Sequence, residues 1–311
     1  MKILILLILT FNLYAQDNTS KTKVESKELK TKQDVLENPT LKTLSGSLNK
    51  YSLYSSFTYR GASLSEPFGA ERPNILNAEE TPGLVDMSGN FGIKYRATKS
   101  DNFSLQTGLY STTPFHNSID TDNSRNANDY AENGQEYDVD DPTLSYFKTY
   151  YLGGLQNITF LKYQYVTRGI YRDFGLRYAT SLSHAAAYKI NKAMYIAASL
   201  NYINYQYDSK TAKYFGREIN IVDRQTSDTL RANLSTEFYV RRNISFRLIT
   251  DLASYFRMRE SAEVEERDLQ QTMAMTYFFN RDISIAPNIR FIADDIRSDR
   301  TNIGLTMNIN I

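Results

Sequence analysis

The chain has 311 residues, with 36 Lys plus Arg against 35 Asp plus Glu; setting Lys2 aside leaves 35 against 35, a neutral protein. Neutrality argues against a nucleic-acid partner, and the absence of cysteine excludes disulfides, thiolate metal sites, cysteine catalysis and a lipidated cysteine anchor. The aromatic content is unusual, 24 Tyr and 16 Phe with no Trp, and it suits strands and lipid interfaces, where a Tyr ring is apolar and its hydroxyl stays wet.

Residues 1–15, "MKILILLILTFNLYA", join one Lys to an apolar run too short to span a bilayer and end on a small residue. They read as a secretory signal peptide, with the mature chain starting at Gln16. Residues 16–49 are rich in Lys, Glu, Thr and Ser, and Pro39 is expected to interrupt any helix that "KTKVESKELKTKQDVLEN" starts. The reading is a largely disordered periplasmic leader; a short helix that enters a pore is the alternative.

From Tyr51 the period is two. In "TLRANLSTEFYV", Leu230, Ala232, Leu234, Thr236, Phe238 and Val240 share one face, and Arg231, Asn233, Ser235, Glu237 and Tyr239 the other. Twelve such segments are expected, near 50–60, 88–97, 102–112, 144–152, 157–166, 174–190, 194–206, 229–240, 244–257, 268–279, 283–293 and 301–311. Short links alternate with longer polar ones, of which 61–87, 113–143 and 207–228 are the longest. One rim of tight turns and one of loops, an even strand count, and no later apolar run of helical span length predict an all-β fold: a twelve-stranded antiparallel transmembrane barrel over residues 50–311, both termini on the periplasmic turn side. A two-sheet sandwich would alternate too, but it explains neither the turn asymmetry nor the last strand.

That last strand, "TNIGLTMNINI", sets Ile303, Leu305, Met307, Ile309 and Ile311 on one face. It resembles the C-terminal assembly signal of Gram-negative outer-membrane β-barrel proteins: Asn302, Gly304, Met307 and Ile309 match its polar, Gly and apolar spacing, although that family usually ends on an aromatic residue and this chain adds Asn310 and Ile311. The resemblance implies a Gram-negative outer membrane, contact with lipid and lipopolysaccharide, and recognition by the barrel-assembly machinery.

Phasing by the apolar stripe puts Arg60, Lys94, Arg96, Lys148, Lys162, Arg177, Arg231, Arg247 and Arg290 toward the lumen, opposed by Glu237 and Asp251. A water-filled lumen with so lopsided a wall concentrates anions, so the expected function is a porin-like channel for small solutes, anions preferred, with Arg177, Arg231, Arg247 and Arg290 the clearest residues. Arginines that pair off and fill a closed lumen are the alternative, in which the barrel anchors long external loops for structural or adhesive contacts. Tyr54, Tyr110, Tyr146, Tyr150, Tyr195, Tyr239 and Tyr255 are placed inward. Tyr59, Tyr202, Phe256 and Phe291 are placed on an outer girdle, and Tyr51, Phe103, Tyr188, Phe246 and Phe279 on a periplasmic one.

Twelve-stranded relatives by architecture include Arg-lined channels for acidic oligosaccharides and the outer-membrane phospholipase family, which uses Ser, His and Asn on the outer wall. A lipid-modifying site here would need a Ser beside His184, and neighbouring Ser183 points to the other face. The other histidine, His116, lies in the acidic loop at 113–143, where Asp120, Asp122, Asp129, Glu132, Glu136, Asp138, Asp140 and Asp141 would suit Ca²⁺, yet "DVDDPT" lacks the Gly and distal Glu of an EF-hand. No catalytic residue, resident metal or cofactor is expected.

Overall fold

The computed structural model describes residues 34–75, 83–115, 136–214 and 217–311; the expected signal peptide and the start of the leader lie outside the described residues. Twelve strands carry the alternation: β1 Tyr51–Ser63, β2 Asp86–Arg96, β3 Asp101–Thr112, β4 Glu136–Leu152, β5 Leu155–Tyr165, β6 Leu176–Lys189, β7 Met194–Tyr207, β8 Thr226–Arg241, β9 Ile244–Met258, β10 Gln270–Phe278, β11 Ile283–Ile292 and β12 Asn302–Ile309. Each pairs antiparallel with the next, and β12 pairs back onto β1, with Phe57 opposite Met307 and Arg60 opposite Gly304. The ring is closed, so its backbone donors and acceptors are met without water.

Among the described residues no helix is long and apolar enough to cross a membrane, and the crossing falls to the strands. A strand of about 11 residues, at about 3.3 Å per residue and tilted about 40°, spans roughly 27 Å, enough for an apolar band about 25 Å tall. The outer wall supplies that band: Ile93, Leu105, Leu144, Leu161, Leu182, Tyr202, Leu234, Leu248 and Met273 are exposed on the successive strands β2 to β10. A continuous apolar wall of this kind is a lipid-facing surface. Tyr51, Phe103, Tyr188, Phe246 and Phe279 are exposed around the turn end of the wall, where the sequence places one girdle.

Two strands depart from the phasing read in the sequence. β4 begins eight residues before the expected 144, because a bulge at Asp141 (φ +50°) carries the strand past Pro142. The buried Asp141 carboxylate fixes the bulge by accepting from Gln164 Nε2 at 2.7 Å and Thr167 N at 3.0 Å. In the same strand Phe147 is fully buried inside the ring, so Tyr146, Lys148 and Tyr150 face outward rather than into the lumen. On β9 the register against β8 slips between Ala232/Ala253 and Asn233/Asp251. Beyond that slip Ser254 stands opposite Arg231 on the inner face and Tyr255 opposite Leu230 on the outer; Tyr255 is therefore not a lumen residue, and Phe256, opposite Thr229, is not on the outer girdle.

Candidate functional site

The turn-side end of the lumen is occupied by the end of the leader. Its helix, α1 Pro39–Ser45, opens on Asn38, whose side chain accepts from Leu41 N at 2.9 Å, and closes at Gly46 (φ +69°), where a Cβ would stand 2.9 Å from the Tyr54 ring. Pro39 thus begins a helix instead of interrupting one: at the first helical position its missing N–H has no partner to lose and its ring presets φ. From Asp34 onward the leader is ordered, and the expectation of a largely disordered segment through Asn49 does not hold there. Leu36 and Leu41, 2% and 4% exposed, pack against Phe147, Ile158 and Ala187, with the Phe160 ring tilted against Phe147 at a centroid distance of 4.9 Å.

Polar groups of the wall hold the rest of the segment. Gln156 Oε1 accepts from the backbone N–H of Glu37 (2.6 Å) and Asn38 (2.7 Å). Glu237, 4% exposed, accepts from Asn38 Nδ2 at 3.0 Å, Thr40 Oγ1 at 2.6 Å and Ser245 Oγ at 2.8 Å. Every carbonyl from Thr43 to Leu48 then accepts from a barrel side chain: Thr43 from Asn310, Leu44 from Tyr54, Ser45 and Ser47 from Lys94, Gly46 from Arg281, and Leu48 from Arg96. A short helix leaves its last carbonyls without internal partners, and cations at that end also complement its dipole. Arg281, from the β10–β11 turn, further pairs with Asp34 at 2.8 Å. Of the expected lumen set, then, Lys94, Arg96 and Glu237 do face inward, and they bind the chain's own segment.

The other half of the lumen is basic. Arg60 on β1, Arg247 on β9 and Arg290 on β11 line a cavity of about 150 Å³ together with Arg72, which arrives from the loop after β1. That loop is folded back by a two-residue ladder, Glu71–Arg72 against Gly83–Leu84. Arg60 Nε donates to Asp86 at 2.8 Å, and Arg72 lies 4.0 Å from the same carboxylate. Arg231 and Asp251 stand close enough to Arg290 to interact with it electrostatically. Arg247 Nε and Asn302 Oδ1 are buried without a hydrogen-bond partner. Arg177 lies apart at the loop rim, paired with Asp208, and Lys162 faces inward over the Phe160 ring.

The terminal strand sorts as the sequence expects: Met307 and Ile309 share the outer parity of Leu305, while Asn302 and Gly304 face in beside the cavity. A Cβ on Gly304 would come within 2.7 Å of Asn288 Oδ1. Ile311 still accepts from Leu53 N at 2.5 Å, and Asn310 turns inward to the helix.

Sequence reasoning missed Gln156, Arg281, Asn310, Arg72 and Asp86. Arg281 sits in the tight turn "NRD" and Arg72 in a long loop, and no strand alternation aims either of them.

On the outer wall His184 Nδ1 is 2.8 Å from Thr159 Oγ1, across the strand pair. Ser183 faces the lumen, where it donates to Asn201. Most of the acidic loop, residues 116–135 with His116, Asp120, Asp122, Asp129 and Glu132, lies outside the described residues. Among the described residues no three His, Cys, Asp or Glu side chains gather as a metal site would.

No protein-family model matches the chain, and no match is found among curated proteins. Among solved structures, an outer-membrane channel from Pseudomonas putida F1 aligns with a TM-score of 0.53 at 10% identity, covering 85% of this chain and 97% of that one. OmpF of Salmonella typhi, in a complex with daunomycin, aligns at 0.37 with 10% identity over 84% of this chain and 97% of that one. The NanC porin aligns at 0.42 with 7% identity over 82% and 97%. At such identity the likeness to the P. putida channel is one of fold: this chain has the architecture of outer-membrane β-barrel proteins.

Proposed function

We propose that this chain is a porin-like channel of a Gram-negative outer membrane, its turns periplasmic, through which small solutes diffuse with anions preferred. The observation that carries the reading is the charge of the inner wall. Around the cavity five guanidiniums, Arg60, Arg72, Arg231, Arg247 and Arg290, meet the carboxylates of Asp86 and Asp251, with Glu237 engaged by the leader. In a narrow low-dielectric lumen such an excess raises the local concentration of anions and lowers that of cations. Residues 34–50 restrict the turn-side mouth, so the resting channel conducts weakly. The terminal segment Asn302–Ile309, with Ile311, is the part offered to the assembly machinery.

The test is conductance and reversal potential in planar bilayers across a salt gradient. Discrete openings with an anion-selective potential, reduced in Arg231→Ala and Arg247→Ala, are expected. A folded barrel that stays silent even without residues 34–48 would sink the channel and favour the second reading, to which the filled turn-side lumen lends weight: a membrane anchor whose loops make the contacts.

A further inference from the structure

We propose that the cavity ringed by Arg60, Arg72, Arg247 and Arg290 is a saturable binding site for one phosphate-type oxyanion, and not merely a stretch of wall that attracts anions. The inference deepens the channel reading and rests on it for its place in transport.

Convergence is the first ground. The four guanidiniums come from three different strands and an infolded loop, and sequence distance as great as that between Arg60 and Arg290 is closed by the β12 seam. Planar guanidiniums present paired donors that match the oxygens of phosphate better than a spherical halide.

Charge is the second. Asp86 is engaged by Arg60 and Arg72, whereas neither Arg247 nor Arg290 has a carboxylate within 4 Å among the described residues. Half-buried cations in that condition favour a bound counter-anion over a bare wall.

Donors and acceptors give the third. Arg247 Nε is an unpartnered buried donor beside the cavity, and Thr58, Thr272 and Thr306 add hydroxyls to its lining. Among these donors stand two amide oxygens: Asn302 Oδ1, buried without a partner and oriented by Asn302 Nδ2 donating to Pro73 O at 3.2 Å, and Asn288 Oδ1, oriented by Asn288 Nδ2 donating to Ala286 O at 3.2 Å. Donors ringed about a fixed amide acceptor suit an oxyanion that keeps one hydroxyl, as hydrogen phosphate does near neutral pH and sulfate and dicarboxylates do not. Size agrees: about 150 Å³, the volume of a cavity that holds benzene, is room enough for phosphate.

The test is titration of the whole chain in detergent micelles with inorganic phosphate, sulfate and succinate, chloride balancing ionic strength, read by calorimetry and by thermal unfolding. One saturable phosphate site with a raised Tm is expected, with sulfate and succinate weaker. Arg247→Gln and Arg290→Gln should each weaken phosphate by about tenfold, the loss of one charge-assisted contact, while folded Lys162→Gln, at an inward cation outside the cavity, keeps it. Phosphate should lower chloride conductance over the same concentration range. No saturation beyond the chloride control, or binding unchanged in both Arg variants, overturns the site. Phosphate binding by a barrel that never conducts would keep the site and refute the channel; anion-selective conductance without saturable phosphate would do the reverse.

Discussion

The two ends of the lumen are built from the same twelve strands and serve opposite purposes. At the turn end the inner wall is apolar where Phe147 and Ile158 lie, and its Gln156, Glu237, Lys94 and Arg96 side chains have fixed protein partners in the leader. Past the middle it is a ring of guanidiniums with too few carboxylates and with donors left over. Inward charge thus means two things in one barrel: Lys94 and Arg96 are structural because backbone carbonyls meet them, and Arg247 and Arg290 remain available because nothing comparable does. What meets each side chain, not residue type, separates them.

Emptying the filled end is the strongest test of that contrast. Deleting residues 34–48 should raise single-channel conductance several-fold in planar bilayers, and Leu41→Ala, which opens a hole against Phe147 and Ile158, should cost docking about 2–5 kcal/mol, seen as faster proteolysis beside Lys42. Next comes the division between inside and outside on which both ends depend. Leu234→Arg, on the lipid face, should cost roughly 2–4 kcal/mol in denaturant unfolding, against a milder loss for Asn233→Arg, whose side chain faces the lumen beside Ser199. Equal costs would mean the faces are wrongly assigned.

Smaller effects sharpen the comparison. Glu237→Ala leaves Asn38, Thr40 and Ser245 without their acceptor and should loosen the helix by about 1–3 kcal/mol, whereas Arg231→Ala should change ion selectivity and leave helix docking intact. Least of all, the Lys189 hydrogen bond holds the Glu37 carboxyl below its ordinary value of 4.5. A lowered folded-state pKa stabilises docking above about pH 4.5 and loses that contribution as pH falls through the folded value. The pair is exposed, so the contribution is below about 1 kcal/mol, and Glu37→Gln should remove that part of the acid loosening in a proteolysis series from pH 7 to pH 3.

Most of the barrel was legible because a sheet with one face in lipid and one in water must alternate, and β8 and β12 do so without interruption. Where alternation weakens, phase is lost. "LSYFKTYYL" is apolar on both faces, since its inner face meets Leu36 and Leu41 instead of water, and the sequence alone turned Lys148 the wrong way. On β9 a single extra residue reversed Tyr255, and no pattern of hydrophobicity announces such a slip. The leader's helix was hidden for a different reason. Seven residues make no stripe, its receiving surface is drawn largely from strands distant in sequence, and Pro39 read as a breaker and not as a helix start. The basic half of the site was readable as inward Arg60, Arg247 and Arg290, but Arg72 entered through a loop fold.

Asn310 sits where the first strand, the last strand and the leader's helix meet. Its backbone N–H is held by Asp282 O, its side-chain oxygen meets Ser55 N and its side-chain nitrogen meets Thr43 O, so one residue joins β11, β1 and the leader's helix. Before β12 zips onto β1 these partners are not in one place. The helix therefore cannot complete its seat in a barrel that is still ajar, and a chain that reached the membrane with its seam unsealed would be recognisable by its loose N-terminal segment. Time-resolved protease access at Lys42 during refolding would report seam closure, making the segment ahead of β1 a clock for the arrival of the last strand.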